Sequence, residues 1–185
     1  MKKHAQSSHN YLDRRDNMSI VERIERDINV GVITVSDTRT KETDKGGKLV
    51  IEKLNEINAV VEHDNHLIVT DDKEKIREAV VGLLEKGLDV VITTGGTGIA
   101  KRDVTIEAVS ELFDKEVEGF GELFRMLSYT EDIGSRSLLS RAAMGTHDNQ
   151  LIISLPGSTG AVKLGMDKLI VPELNHLVFE LNKEN

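Results

Sequence analysis

From Ile28 onward the chain alternates between two hydrophobic periods. Short aliphatic runs stand at "INVGVITV" (28–35), "LIVT" (67–70), "DVVITT" (89–94) and "QLIISLPG" (150–157), each bounded by polar loops. Runs this short and this apolar predict buried strands. Between them, apolar residues recur three and four apart. "GGKLVIEKLNEIN" (46–58) aligns Val50, Leu54 and Ile57, and "DDKEKIREAVVGLLEKG" (71–87) aligns Ile76, Val80, Leu83 and Leu84, with Gly87 as a stop. That spacing predicts amphipathic helices. "TIEAVSELF" (105–113) and "GFGELFRMLSY" (119–129) read as two more. Phe120, Leu123, Phe124 and Leu127 form an expected core stripe in the second. "GAVKLGMDKLI" and "PELNHLVFELN" close the pattern as two helices, divided at Pro172.

Strands alternating with helices predict an α/β fold: a mostly parallel sheet with helices on both faces. Ligands in such sheets sit beyond the carboxyl ends of the strands. The loops "SDTR", "TDD", "GGTG" and "LPGST" all fall at such ends. Residues 1–27 are polar and lack a sustained period, so a mobile tail is expected before a single domain at 28–185. Within the tail, "MSIVERIERD" places Ile20 and Ile24 at one-turn spacing, enough for a short helix, and His4 and His9 read as solvated.

Composition narrows the function. A chain of 185 residues suits one domain. No apolar run approaches the ~18 residues of a membrane span, and the polar N-terminus does not read as a signal peptide. A cytoplasmic home is expected. The absence of cysteine excludes disulfides, thiolate metal sites and cysteine nucleophiles. A net charge of −8 argues against nonspecific binding to nucleic acid or membrane surfaces. An anionic ligand must therefore be held by a local arrangement of groups.

"TTGGTGIAKRDVT" (93–105) is the strongest candidate for that arrangement. Gly95, Gly96 and Gly98 follow a strand, and a helix begins near Thr105, a candidate N-cap. Glycines let backbone N–H groups face an anion without interference from Cβ, and Lys101 and Arg102 add positive charge. A tight turn is the competing reading. The string is neither a P-loop nor a dinucleotide fingerprint. Asp103 reads equally as an ion pair or cap and as a carboxylate ligand for Mg²⁺. In the first connection Ser36, Asp37 and Thr38 end the strand, and Asp44 is placed to cap the next helix. "LPGST" offers hydroxyls at Ser158 and Thr159, and "SLLSRAAMG" offers Ser140 and Arg141. No G-x-S-x-G elbow and no H-E-x-x-H grouping occurs. His63 and His66, three apart in a strand pattern, face opposite sides and make no metal pair.

Taken together, "TVSDTR", "TDKGG", "TTGGTGIAKRDVT", "EVEGFGELFRMLS", "LLSRAAMG" and "SLPGSTGAVKL" resemble the MoaB/Mog family of molybdenum cofactor biosynthesis proteins. The strings run in the family's order from about Asn29 to the C-terminus, and "EGFGELFRMLS" with "LPGST" is similar to its B-type branch. The resemblance implies a three-layer α/β/α domain, the molybdopterin-binding fold, assembled as a trimer or a hexamer. It implies binding of molybdopterin, and in active members its adenylylation by Mg²⁺ and ATP with release of pyrophosphate. The product would pass to a metal-insertion protein. The alternatives are a noncatalytic molybdopterin-binding or delivery protein and, more remotely, a scaffold.

By the same resemblance, Asp71 of "VTDD" and Asp103 of "RDVT" are the catalytic and metal-binding acids. The ligand site implied comprises Ser36, Asp37, Gly95, Gly96, Thr97, Gly98, Lys101, Arg102, Ser128, Ser140, Arg141, Ser154, Pro156, Gly157 and Ser158. Three positions depart from the family pattern. The common D-x-S-G reads Asp44-Lys45-Gly46-Gly47, losing a hydroxyl. Ile106 stands where a proline usually follows "RDVT", and Thr70 where a proline usually precedes the first acid.

Overall fold

A computed structural model describes residues 23–183. His4, His9 and the first half of the expected helix at 18–27 lie outside them, and residues 23–27, which lie within them, are not helical. Three segments run parallel at the centre: β1 (Ile28–Val35), β4 (Val90–Thr94) and β7 (Gln150–Leu155). β1 also pairs in parallel with β2 (Ala59–Val60) near its start and with β3 (His66–Val69) near its end. On the far side β7 pairs antiparallel with β6 (Ala143–His147), which pairs antiparallel with β5 (Lys115–Glu116). The order across the sheet is β2-β1-β4-β7-β6-β5, with β3 also on β1.

The uninterrupted apolar runs are explained by burial on both faces. Ile28, Val30 and Val32 of β1, Val90 and Ile92 of β4, and Leu151, Ile153 and Leu155 of β7 share one core. Their alternates Ile33, Val35, Val91 and Ile152 share the other. The first core is covered by α1 (Lys45–Leu54), α4 (Glu118–Glu131), α5 (Thr159–Gly165) and α6 (Val171–Leu181). The second is covered by α2 (Lys73–Glu85) and α3 (Thr105–Ser110). Each fully buried Ile or Leu contributes about 1.5–3 kcal/mol relative to exposure, so both faces must be covered.

Several local expectations change. The sheet is mostly parallel as expected but has an antiparallel edge, because "AMGTH" forms strand β6. The two-residue link Asp148-Asn149, with Asp148 at φ 50°, turns it directly into β7. The last two helices are not divided at Pro172. A π-helical turn (Met166–Ile170) joins them, and the proline sits in the first turn of α6, where its missing N–H costs little. In α4 only Phe120 and Phe124 of the stripe are buried, while Leu123 is exposed and Leu127 half-buried. His63 lies in a 3₁₀ turn, not a strand; it is exposed, whereas His66 opens β3 and is buried.

Residues just before β1 are tied to the domain. Ile24 N–H donates to Asn175 Oδ1 (2.9 Å), and the Asn175 amide returns a bond to Ile24 O. Arg26 forms a two-point ion pair with Asp89.

Candidate functional site

The loops after β1, β4 and β7 converge at one end of the sheet, and glycine governs how closely they meet. Gly95 and Gly96 hold φ angles of 96° and 65°, a region that disfavours side chains. A Cβ on Gly95 would overlap Val35 O, and one on Gly96 would overlap Thr105 Oγ1. A Cβ on Gly157 would lie 3.1 Å from Gly95 Cα. Close approach of backbone at Gly95 and Gly157, and of the Thr105 side chain at Gly96, thus accounts for these glycines, and Gly95 N–H is already bonded to Leu155 O at 3.0 Å. Thr105 is not the N-cap of α3. Val104 holds that position, and the Thr105 hydroxyl instead donates to Gly95 O (2.9 Å), closing the loop on itself.

Two cavities open beside this junction and share Gly157 and Ser158. The first, about 400 Å³, has polar walls: Ser36, Arg39, Asp44 and Lys45 face Thr94, Ser158 and Thr159. Asp44 caps α1, accepting from Gly47 N–H at 2.9 Å. The second, about 330 Å³, is bounded by the loop from Gly95 to Gly98, Asp103, Ser128, Ser140 and Pro156. Phe124, Ile133, Leu139 and Ala161 give it apolar walls, and Asp132 and Arg136 also line it.

Two acids, Asp71 and Asp103, border the glycine loop, and Asp37 stands beside Asp71. Asp71 Oδ1 would lie 3.3 Å from a Cβ on Gly96, so that glycine also admits the carboxylate. Asp71 N–H donates to Asp37 Oδ1 (3.1 Å). Burial first, then repulsion from Asp37 and Asp103, raises the Asp71 pKa against the opposing pull of Arg102. Asp103 Oδ2 accepts from Ala100 N–H (3.0 Å), and a Cβ on Gly98 would come within 2.7 Å of that oxygen. Neighbouring Asp72 is occupied elsewhere, capping α2 through Lys75 N–H. Among the described residues no group of three or more His, Cys, Asp or Glu side chains is arranged to hold a metal ion.

The sequence-derived residues do not all meet here. Ser36 and Ser158 line the first cavity; Gly95, Gly96, Thr97, Gly98, Asp103, Ser128, Ser140, Pro156, Gly157 and Ser158 line the second. Ser154 is fully buried within the sheet, where its hydroxyl accepts from Thr93 Oγ1 at 2.7 Å. Lys101 and Arg102 are exposed and line neither cavity. Arg141 reaches the loop from behind. Its guanidinium donates to the carbonyls of Thr97, Gly98 and Asp103 (3.0–3.2 Å) and pairs with Glu107, whose pKa it lowers. Sequence reasoning overlooked Arg39, Lys45 and Arg136 as the cations that do line the cavities. Arg39 and Lys45 lie inside the quoted strings "SDTR" and "TDKGG". Arg136 lies in a 3₁₀ turn (Gly134–Leu139) whose position no periodicity marked.

Comparison with known proteins agrees with this architecture. Residues 31–176 match a family described as "Probable molybdopterin binding domain". The chain is 63% identical over 161 residues to molybdenum cofactor biosynthesis protein B of Staphylococcus carnosus, covering 87% of this chain and 95% of that protein. A crystal structure of a molybdenum cofactor biosynthesis protein B superposes with a TM-score of 0.82 at 54% identity, over 88% of this chain and all of the other. The tungsten cofactor synthesizing protein MoaB from Pyrococcus furiosus superposes with a TM-score of 0.75 at 40% identity, over 86% and 100%. The fold and these relatives together place the chain in the MoaB/Mog family of molybdenum cofactor biosynthesis proteins, in its B-type branch.

Proposed function

We propose that this protein is a molybdopterin adenylyltransferase. The observation that carries the reading is the pair of contiguous cavities at the carboxyl ends of β1, β4 and β7, one polar and cationic, the other apolar-walled, joined at Gly157 and Ser158. A reaction between two substrates needs two such sites meeting at one point. The walls of the second cavity suit a planar heterocycle such as the pterin. Arg39, Lys45 and the hydroxyls of the first suit phosphate groups.

In the proposed step an oxygen of the molybdopterin phosphate attacks the α-phosphorus of ATP. A new phosphoanhydride bond forms, the bond to the β-phosphate oxygen breaks, and pyrophosphate leaves with the electron pair. Such transfers depend on positioning and charge neutralisation more than on a protein nucleophile. Ser128, Ser140 and Ser158 would orient the ligands by hydrogen bonds. Arg102 would offset charge from outside the cavities, as it does for Asp71.

Asp37, Asp71 and Asp103 crowd negative charge at the glycine loop, which is the donor chemistry Mg²⁺ takes. Asp71 and Asp103 would hold the ion as a pair, with substrate phosphates completing its shell. When bound, Mg²⁺ would neutralise phosphate charge. We further propose that the protein works as a trimer or hexamer and passes its product to a metal-insertion protein.

A noncatalytic binding protein is the second reading, favoured by the outward placement of Lys101 and Arg102. Incubation with molybdopterin and saturating Mg-ATP separates the two. Steady release of pyrophosphate supports the transferase. Tight molybdopterin binding without pyrophosphate supports the binding protein.

A further inference from the structure

A buried polar knot lies at the floor of the cationic cavity, and the proposed reaction does not use it. Asp44 Oδ2 accepts from the Thr34 hydroxyl (2.7 Å) and lies 2.8 Å from His66 Nε2, while Asp44 Oδ1 accepts from Gly47 N–H. Asp44 is 1% exposed and His66 9%. Burial opposes the ionised form of Asp44, but the bonds from His66, Thr34 and Gly47 outweigh it, and its pKa is lowered. An ionised carboxylate only accepts, so His66 Nε2 carries the proton of their bond. The knot joins three elements: Thr34 is the penultimate residue of β1, His66 begins β3, and Asp44 caps α1.

Gly47 shows how closely α1 is seated on this knot. A Cβ there would overlap Asp44 Oδ2 and lie 2.6 Å from Thr34 Oγ1 and 2.8 Å from His66 Nε2. The preceding residues, Lys45 and Gly46, line the cavity. A Cβ on Gly46 would lie 3.6 Å from Gly157 O, so the first turn of α1 adjoins the "LPGS" turn at the cavity wall.

We propose that His66 is a positioning residue: its hydrogen bond to Asp44 holds that carboxylate on the Gly47 amide and so fixes Lys45 and Gly46 as one wall of the cationic cavity. The proposal rests on the reading of this cavity as the phosphate-holding half of the site. Without the His66 donor, Asp44 remains buried with two donors in place of three. The first turn of α1 is then free to shift against the loop bearing Ser158.

The test uses the full chain, with pyrophosphate as the probe, titrated calorimetrically into wild type, His66→Leu and His66→Gln. The glutamine amide restores a donor at similar reach. His66→Leu is expected to weaken pyrophosphate binding about tenfold, the scale of one hydrogen bond to a charged group, and His66→Gln to return to within about threefold of wild type. Exchange of the Gly47 amide proton, followed by NMR, should quicken in His66→Leu and recover in His66→Gln. Should the leucine variant not fold, His66→Asn, whose amide is too short to reach Asp44, takes its place. Unchanged binding in the donor-less variant, or equal losses in both variants, overturns the proposal. If wild type binds no pyrophosphate, the phosphate assignment of the cavity falls. The Gly47 exchange rate then decides the positioning role: rates equal in wild type and the donor-less variant overturn it.

Discussion

Asp44 and Asp71 border the same cluster of loops in opposite surroundings. Asp44 meets three donors, and its pKa is lowered; Asp71 meets burial and two carboxylates, and its pKa is raised. The signs of their pH dependence follow. The stabilisation from Asp44 is complete above the unfolded carboxylate pKa and is lost as pH falls through the lower folded value. The ionised form of Asp71 instead costs stability above its raised folded pKa, a cost that vanishes below the unfolded value. Asp44→Asn should therefore lower stability at neutral pH, by about 1–3 kcal/mol for a buried bonded carboxylate. Asp71→Asn should raise it. Urea unfolding at neutral pH and below the ordinary carboxylate range checks both: each difference should shrink in acid. A destabilised Asp71→Asn at neutral pH would contradict this account. Asp103→Asn isolates charge from geometry, since the asparagine oxygen can still accept from Ala100 N–H. It should lower turnover by about a hundredfold or more, as loss of one preorganised electrostatic group does, with molybdopterin binding largely retained. Full pyrophosphate release from Asp103→Asn would rule out the assigned role.

At the level of elements, the glycine loop is closed from inside by Thr105 and clamped from behind by Arg141. Arg141 spans three carbonyls and a carboxylate with one planar fork, which lysine cannot reproduce. Arg141→Lys should reduce turnover by at least about tenfold and quicken amide exchange in residues 96–104, while the unfolding midpoint moves little; unchanged exchange would show that the clamp does not order the loop. This clamp explains one limit of the sequence. "LLSR" marks Arg141 by motif, but whether its side chain faces the ligand or the back of the loop depends on a contact 34 residues away, at Glu107. Ser154 shows the same limit. Its place before "LPG" is readable, but its inward orientation follows from strand alternation between Ile153 and Leu155, with Thr93 as the partner. The central strands and long helices were legible because burial on two faces writes continuous apolar runs and one face writes a 3.6 period. Strands β2 and β5, two residues each, are too short to carry any period. β6 went unread, because Ala143–His147 shows no clean alternation of apolar and polar residues.

For the whole molecule, the exposed apolar side chains matter most. Leu138 is 82% exposed and Tyr129 61%, and Leu123, Met126 and Leu139 are also exposed. All come from α4 and the 3₁₀ turn after it, and a grouping of this kind marks a contact surface. The family resemblance, which runs from about Asn29 to the C-terminus, implies threefold assembly, which no periodicity within one chain encodes. Light scattering should give the mass of a trimer or hexamer at micromolar concentration, and Leu138→Asp with Met126→Asp should lower it. A wild-type monomer, or an unchanged mass in the double variant, would contradict an association through α4. The proposed chemistry takes place at the joined cavities. It is tested most directly by following ATP labelled at the α-phosphorus in the presence of molybdopterin and Mg²⁺. The account predicts that the label appears covalently on the molybdopterin phosphate, with one pyrophosphate released per transfer. Label remaining in ATP, with molybdopterin bound and unchanged, would contradict it.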